Sequence, residues 1–344
     1  MKGRKMPKAG SQYAIATLAS HSCLQILKGA KDEGFSTLAI ATPKTAPFYK
    51  TFPFIDEIIT IPTFADFPKI EDELVKRNIV IIPHGSFVAY LGFEENKKMK
   101  THYFGNKDVL DWESDRKMQR EWMVKAGINV PRQFKSGEEI DAPVIVKSYG
   151  AAGGEGYFFA KNKGEFADKI KSFKPTKYVI QEYIIGVSLY IHYFYSPLNQ
   201  KLEIMSIDRR YETNVDSLGR IPSQNQEGLN IQPSFVVVGN APLVLRESLL
   251  PQVYAMGQRV VETSQKLMGP KGLFGPFCLE TIITPKQEFF VVEISCRIVA
   301  GTNLFMEGSP YSQLLYDEPM STGRRIAREI KLSVQEGRLT DILD

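Results

Sequence analysis

Glu280 and Glu293 stand out because each interrupts an apolar run. Glu280 lies within FGPFCLETII (274–283) and Glu293 within FFVVEI (289–294), with a short turn at 284–287 between the two runs. A carboxylate inside a buried strand is costly unless it is paired or bound to a cation. Two on neighbouring strands also repel, and a divalent ion relieves both problems. Mg²⁺, or Mn²⁺ in its place, is suited to such a pair together with substrate phosphates. The other reading is two half-exposed glutamates on one solvated face. Arg297 follows Glu293 by four residues, and the turn AGTN (300–303) lies just beyond it.

A second stretch supplies what an anion needs. VIVKSYGAAGGEGYFFA (144–160) reads as a strand, a glycine-dense loop and a second strand. Lys147 ends the first strand as a point charge. Gly150, Gly153, Gly154 and Gly156 crowd the loop, where backbone N–H groups without Cβ obstruction can approach a phosphate. The string is neither GxxxxGK[ST] nor a GxGxxG that opens a helix. Alone it reads equally well as a mobile hairpin with no ligand.

The elements that must position these groups follow from the pattern. Tyr13–Leu18, Thr37–Ala41, Ile58–Ile61 and Ile79–Ile82 read as strands, with a helix over Cys23–Glu33 between the first two. Strand, helix, strand with short loops indicates a parallel sheet. Ligands of such sheets collect beyond the carboxyl ends of the strands. His21, Ser22, Gly85 and Ser86 all fall there. His21 also reads as a turn residue, and Ser86 as the N-cap of a helix over Phe87–Leu91.

Farther along, Lys107–Ala126 is helical in pattern, with Trp122 and Trp112 as packing anchors. Tyr178–Ile184 is a strand running into Gly186, a hinge suited to a purine ring. Tyr190–Tyr195 reads as sheet core. Leu202–Asp208 leads into Arg209 and Arg210, either a surface pair or phosphate-facing. Val236–Asn240 ends a further strand. Ser248–Met268 and Thr322–Glu336 are helices, the first with Leu249, Val253, Met256, Val260 and Leu267 as its buried stripe. The expected divisions are an N-terminal parallel α/β domain at 1–114, a small subdomain with the hairpin at 115–186, and a larger one with the two glutamate strands at 187–344.

Composition narrows the class. The chain has 344 residues, 43% hydrophobic and 24% charged, with a net charge of +4. That is an ordinary globular balance, without the basic stripe of a nucleic-acid binder. The three cysteines are widely spaced and match no zinc pattern. No apolar run suits a membrane span or signal peptide, so a cytoplasmic location is expected.

The order of parts resembles that of the ATP-grasp ligases. The segments ASHSCLQILKGAKDEGF, PHGSFVAYLG, YFGNKDVLDWESDR, HYFYSPL, MSIDRRYETNVD, GNAPLVLRESLLPQV, GPFCLE and IVAGTNLFMEGSPYS are similar to those of the archaeal formate-dependent 5-formaminoimidazole-4-carboxamide ribonucleotide (FAICAR) synthetases. The resemblance runs from about Tyr13 onward. It implies an α/β ATP-grasp fold with an N-terminal parallel-sheet domain, and a homo-oligomer, trimeric or hexameric. It also implies ATP- and formate-dependent formylation of aminoimidazole carboxamide ribonucleotide (AICAR) to FAICAR through formyl phosphate. In site terms it implies that His21, Ser86 and Asn240 hold AICAR. Lys147 and the 150–156 glycines would clamp the nucleotide. Gln181, Glu182 and Ile184 would form the adenine hinge, with Glu212 a further ATP contact. Glu280 and Glu293 would be the Mg²⁺ carboxylates, and Arg297 the arginine that steadies the transferring phosphoryl group. Two departures from the wider superfamily are Ser295, where many members carry asparagine, and an acidic hairpin tip with Ala152 and Glu155. Activation of another small carboxylate, or nucleotide binding with weak turnover, are the other readings.

Overall fold

The computed structural model describes residues 12–152, 155–174, 177–218, 220–226 and 236–344. The first sheet contains β1 (Ala14–Leu18), β2 (Ser36–Ala41), β3 (Glu57–Thr60), β4 (Ile79–Ile81) and β5 (His102–Tyr103), in the order β3-β2-β1-β4-β5. Every pairing is parallel, with Ala16 facing both Leu38 and Ile81. These strands are short apolar runs because helices cover both faces. One face carries the helices Cys23–Asp32 and Thr322–Glu336, through Ile26, Leu27, Ile326 and Ile330. These two helices approach closely at paired glycines. A Cβ on Gly29 would strike the backbone of Arg324, and one on Gly323 the backbone of Gln25. Beyond the second helix, Asp344 exchanges main-chain hydrogen bonds with Tyr103 at 2.9 and 3.1 Å.

A four-stranded antiparallel sheet contains β6 (Gln133–Phe134), β7 (Val144–Ala152), β8 (Glu155–Ala160) and β9 (Tyr178–Glu182), in the order β6-β9-β7-β8. A five-stranded antiparallel sheet contains β10 (Val187–Ser196), β11 (Lys201–Glu212), β12 (Val237–Pro242), β13 (Gly275–Ile283) and β14 (Phe289–Ser295), in the order β12-β11-β10-β13-β14. Its alternation sorts the side chains. Leu189, Ile191, Tyr193, Ile207 and Leu279 pack with Val253, Met256 and Val260 of the helix Leu250–Leu267. Their neighbours in sequence point to the opposite face, as the two-residue period requires.

Three expectations need correction. The helix expected over 107–126 is broken. Asp115 is extended (φ −97°, ψ 116°) and its carboxylate accepts from the N–H groups of Lys117 and Met118, so Asp108–Ser114 and Arg116–Lys125 are separate helices. Aspartate gains more by capping a new helix than by sitting inside one. The glycine loop is shorter than its composition suggests, since β7 continues to Ala152, which pairs with Glu155. Gly150 and Gly156 are therefore strand positions, and Gly153 and Gly154 lie outside the described residues. The helix expected to begin at Ser248 starts at Leu250, after a 3-10 turn over Glu247–Leu249.

Candidate active site

Two loci hold the candidate residues, one on the five-stranded sheet and one at the ends of the parallel strands. The first is a cleft of about 300 Å³ between that sheet and the four-stranded one. It is lined by Lys147, Gln181, Glu182, Ile184, Glu212, Glu280 and Glu293. Glu280 and Glu293 are direct register partners across β13 and β14, so their carboxylates share one face. Glu293 opens into the cleft and Glu280 is half-buried. Burial, then repulsion from Glu293, holds the Glu280 carboxyl above the usual carboxylate range, while Arg210 and Lys147 oppose that rise. Lys147, brought over from β7, is shifted down by burial, with Glu280 acting in the other direction.

Arg209 and Arg210 are indistinguishable in sequence, and the strand alternation separates them. Arg209 is exposed and lies 3.6 Å from Asp216. Arg210 turns inward, its guanidinium carbon 3.5 Å from the Tyr190 ring centroid and its Nη1 3.8 Å from Glu280 Oε2. Arg116, Tyr157, Ser188 and Tyr190 also line the cleft and carried no motif signal. At the hinge, the Glu182 side chain turns to Arg132 at 3.0 Å, and the N–H groups of Glu182 and Tyr183 bond the carbonyls of Arg132 and Pro143. Ile184 lies beyond the last paired residue of β9.

Glu212 is raised to about 7, first by burial and then by Glu280 and Asp216. A carboxyl raised on folding keeps its proton in the native state at pH values where the unfolded chain releases it. Its contribution therefore favours folding at low pH and is lost as the pH climbs from the ordinary carboxylate value through 7. Glu212→Gln is expected to melt with the parent at pH 5 and roughly 2–4 °C above it at pH 8. Thermal scans of the ligand-free protein at both pH values check this, and equal curves at pH 8 would refute it.

The second locus lies at the carboxyl ends of the parallel strands. His21 has φ of +42°, and its Nε2 lies 2.9 Å from Ser86 Oγ. Ser86 occupies an N-cap position but makes no side-chain cap bond, so its hydroxyl serves His21 instead. His84 stacks on His21 with ring centroids 5.4 Å apart and 14° between planes. Burial, then the charge on His21, lowers His84 to about 3, and its Nε2 lies 3.1 Å from the Leu18 carbonyl oxygen. His84 was missed because nothing separates it in sequence from an ordinary strand-end residue.

The turn Ala300–Leu304 joins these groups to the larger sheet. Asn303 Nδ2 donates to the His21 carbonyl at 2.8 Å, and the same turn packs against β11 and β12. Asn240, on β12, donates through Nδ2 to Asp208 Oδ2 at 2.6 Å. Arg297 faces this locus rather than lining the cleft. It bonds Glu113 at 2.9 Å, and its charge depresses both His21 and His84, in each case after burial. Its Nε is buried with no hydrogen-bond partner among the described residues. Glu113 carries no signal of its own, because its partner Arg297 lies 184 positions away in sequence.

A protein of Pyrococcus horikoshii named 5-formaminoimidazole-4-carboxamide-1-(beta)-D-ribofuranosyl 5'-monophosphate synthetase is 56% identical over 96% of this chain and 99% of its own length. A Methanothrix thermoacetophila protein of the same name is 52% identical over 96% of this chain and 94% of its own length. The chain belongs to the FAICAR synthetase family. Family models described as a protein of unknown function (DUF1246) and a domain of unknown function (DUF1297) match residues 15–134 and 162–344. Among solved structures, an IMP biosynthesis protein PurP from Thermococcus kodakaraensis matches with a TM-score of 0.77 and 33% identity, covering 96% of this chain and all of that one. An ADP complex of N5-carboxyaminoimidazole ribonucleotide synthetase matches at 0.68 and 13%, covering 96% of this chain and 79% of that one. The fold of this FAICAR synthetase family member is the ATP-grasp fold behind an N-terminal parallel-sheet domain.

Among the described residues no three His, Cys, Asp or Glu groups cluster as a closed metal site. The chain's own donors are two carboxylates paired in register, of which Glu280 is raised by burial and then by its neighbour Glu293. That donor set fits Mg²⁺ completed by phosphate oxygens, and does not fit a structural metal.

Proposed function

We propose that the chain is an ATP- and formate-dependent ligase that formylates AICAR to FAICAR, in IMP biosynthesis. One observation carries the assignment of roles: the paired glutamates and Lys147 line a cleft whose floor is the same sheet face that carries Asn240. The ATP triphosphate lies along Lys147 and Arg210, with the purine against the hinge at Gln181–Ile184 and the ribose toward Glu212. Mg²⁺, held by Glu280 and Glu293, would neutralise charge on the phosphates. Formate oxygen attacks the γ-phosphorus and ADP leaves, giving formyl phosphate. The AICAR amine, held by His21, Ser86 and Asn240, then attacks the formyl carbon. Phosphate departs, and the amine loses one proton.

The protein's contribution is positioning and charge stabilisation. Arg297, on the side of the His21 locus, steadies the transferring phosphoryl group where it meets the acceptor amine. The two sheets would shield formyl phosphate from water. The test is to incubate the protein with ATP, formate and AICAR and to follow ADP and FAICAR, omitting each component in turn. Product that requires all three supports the proposal. Product with another small acid in place of formate, or nucleotide binding without ADP release, would replace it.

We further read the enzyme as a cytoplasmic homo-oligomer, trimeric or hexameric. Val238, on β12 at the end of the five-stranded sheet, and Val244, just beyond that strand, are 71% and 66% exposed. Such an apolar edge is a natural place for a second copy. Light scattering on purified protein gives the oligomeric mass, and a monomer would exclude this reading. Among the described residues no helix is long and apolar enough to cross a membrane.

A further inference from the structure

The motif MSIDRRYETNVD contributes more than Glu212 and Arg210. Asp208 lies on the same face of β11 as Arg210 and is fully buried. Three elements close on its carboxylate. His192 of β10 bonds it through Nε2, Asn240 of β12 donates to it at 2.6 Å, and Gly301 packs its backbone against it. A Cβ at Gly301 would fall on that carboxylate, so only glycine leaves room for it there.

The hydrogen-bond polarity of this chain is fixed by chemistry. A carboxylate accepts and does not donate. The atom that Asn240 turns to Asp208 must therefore be its NH₂, which leaves Asn240 Oδ1 as the end presented elsewhere. The turn that carries Gly301 packs against β12 and also donates through Asn303 to the His21 carbonyl, which ties the Asp208–Asn240 pair to the element that holds His21. An amide oxygen there accepts an N–H from an amine, and so turns the nitrogen lone pair away from itself.

We infer that Asp208 is a positioning residue that locks the Asn240 amide with its carbonyl toward the amine of the acceptor substrate. The inference rests on Asn240 contacting AICAR. His192 anchors the carboxylate. Burial pulls this histidine down, but Cys278 and Asp208 outweigh it and hold it at about 10, in keeping with a cation beside the buried aspartate. Asp208→Asn keeps the shape but removes the polarity, since an amide can offer either end to Asn240.

The experiment compares Asn240→Ala, Asp208→Asn and the double variant at saturating ATP and formate. It reads the KM for AICAR and the FAICAR formed per ADP released. Each single change is expected to raise the AICAR KM about tenfold, the usual scale for losing a buried polar contact. Asp208→Asn is also expected to lower FAICAR per ADP. The ATP KM should stay within about twofold, and the double variant should be no worse than Asn240→Ala alone, because both act through one contact.

An unchanged AICAR KM in Asn240→Ala would remove the underlying contact, and the inference with it. A defect in Asn240→Ala with none in Asp208→Asn, or defects that multiply in the double variant, would overturn the inference alone. If Asp208→Asn does not fold, Gly301→Ala displaces the carboxylate without deleting it. The same two changes are expected from it, and a normal AICAR KM in that variant would overturn the inference.

Discussion

Glu280→Gln is expected to lower kcat by roughly 10³-fold and to raise the melting temperature of the ligand-free protein at pH 8. Both effects have one origin. In the absence of ligand the Glu280 carboxyl is half-buried, faces Glu293 in direct register and resists ionisation. The charged form therefore costs stability at neutral pH and above. Glutamine keeps the shape and removes that cost, which for a chain of this size is worth roughly 1–2 °C per kcal/mol. It also removes one of the two carboxylates that would hold the Mg²⁺ bound to the triphosphate. The Mg²⁺ dependence of ADP release should move to higher concentration together with the fall in kcat. Steady-state kinetics across a Mg²⁺ titration and a thermal scan at pH 8 test both halves. Turnover within tenfold of the parent would mean that these carboxylates do not carry the metal-dependent step.

The second large effect is expected at Arg297. Arg297→Met should reduce FAICAR formation by about 10³-fold, the range seen when an arginine that stabilises a transferring phosphoryl group is lost. The same change also unpairs Glu113, whose bond to Arg297 is 2.9 Å and whose side chain is only 12% exposed. Breaking such a pair from one side costs about 3–5 kcal/mol of stability. Loss of activity in the single variant is therefore not enough. Glu113→Gln combined with Arg297→Met removes the stranded charge and should restore much of the melting temperature while leaving activity low. Recovery of activity along with stability would show that Arg297 is a structural partner of Glu113 and nothing more.

Local pattern carried much of the fold. The parallel sheet was visible because β1, β2 and β4 are short apolar runs separated by turn residues and one clear amphipathic helix. The glutamate pair was visible because charge in an apolar run is conspicuous in one dimension. What stayed hidden was set by contacts between distant residues. Arg210 became distinct from Arg209 only when the pleat put one over Tyr190 and the other in solvent. His192 and Asp208 looked like any polar residues of a strand, and their meeting depends on the alignment of β10 with β11. The break at Asp115 was missed for a different reason. Its capping preference is local, but the helical pattern continues on both sides and masks it in sequence.

The packing of helix Thr322–Glu336 against Cys23–Asp32 bears on how the polypeptide reaches its native state during synthesis. The first sheet emerges from the ribosome early, yet one of its covering layers and the partner of Tyr103 come from residues 322–344. Nascent chains therefore carry an unfinished apolar surface for most of translation. The segments 15–134 and 162–344, although each matches a family model of its own, should aggregate when produced separately and regain solubility when co-expressed.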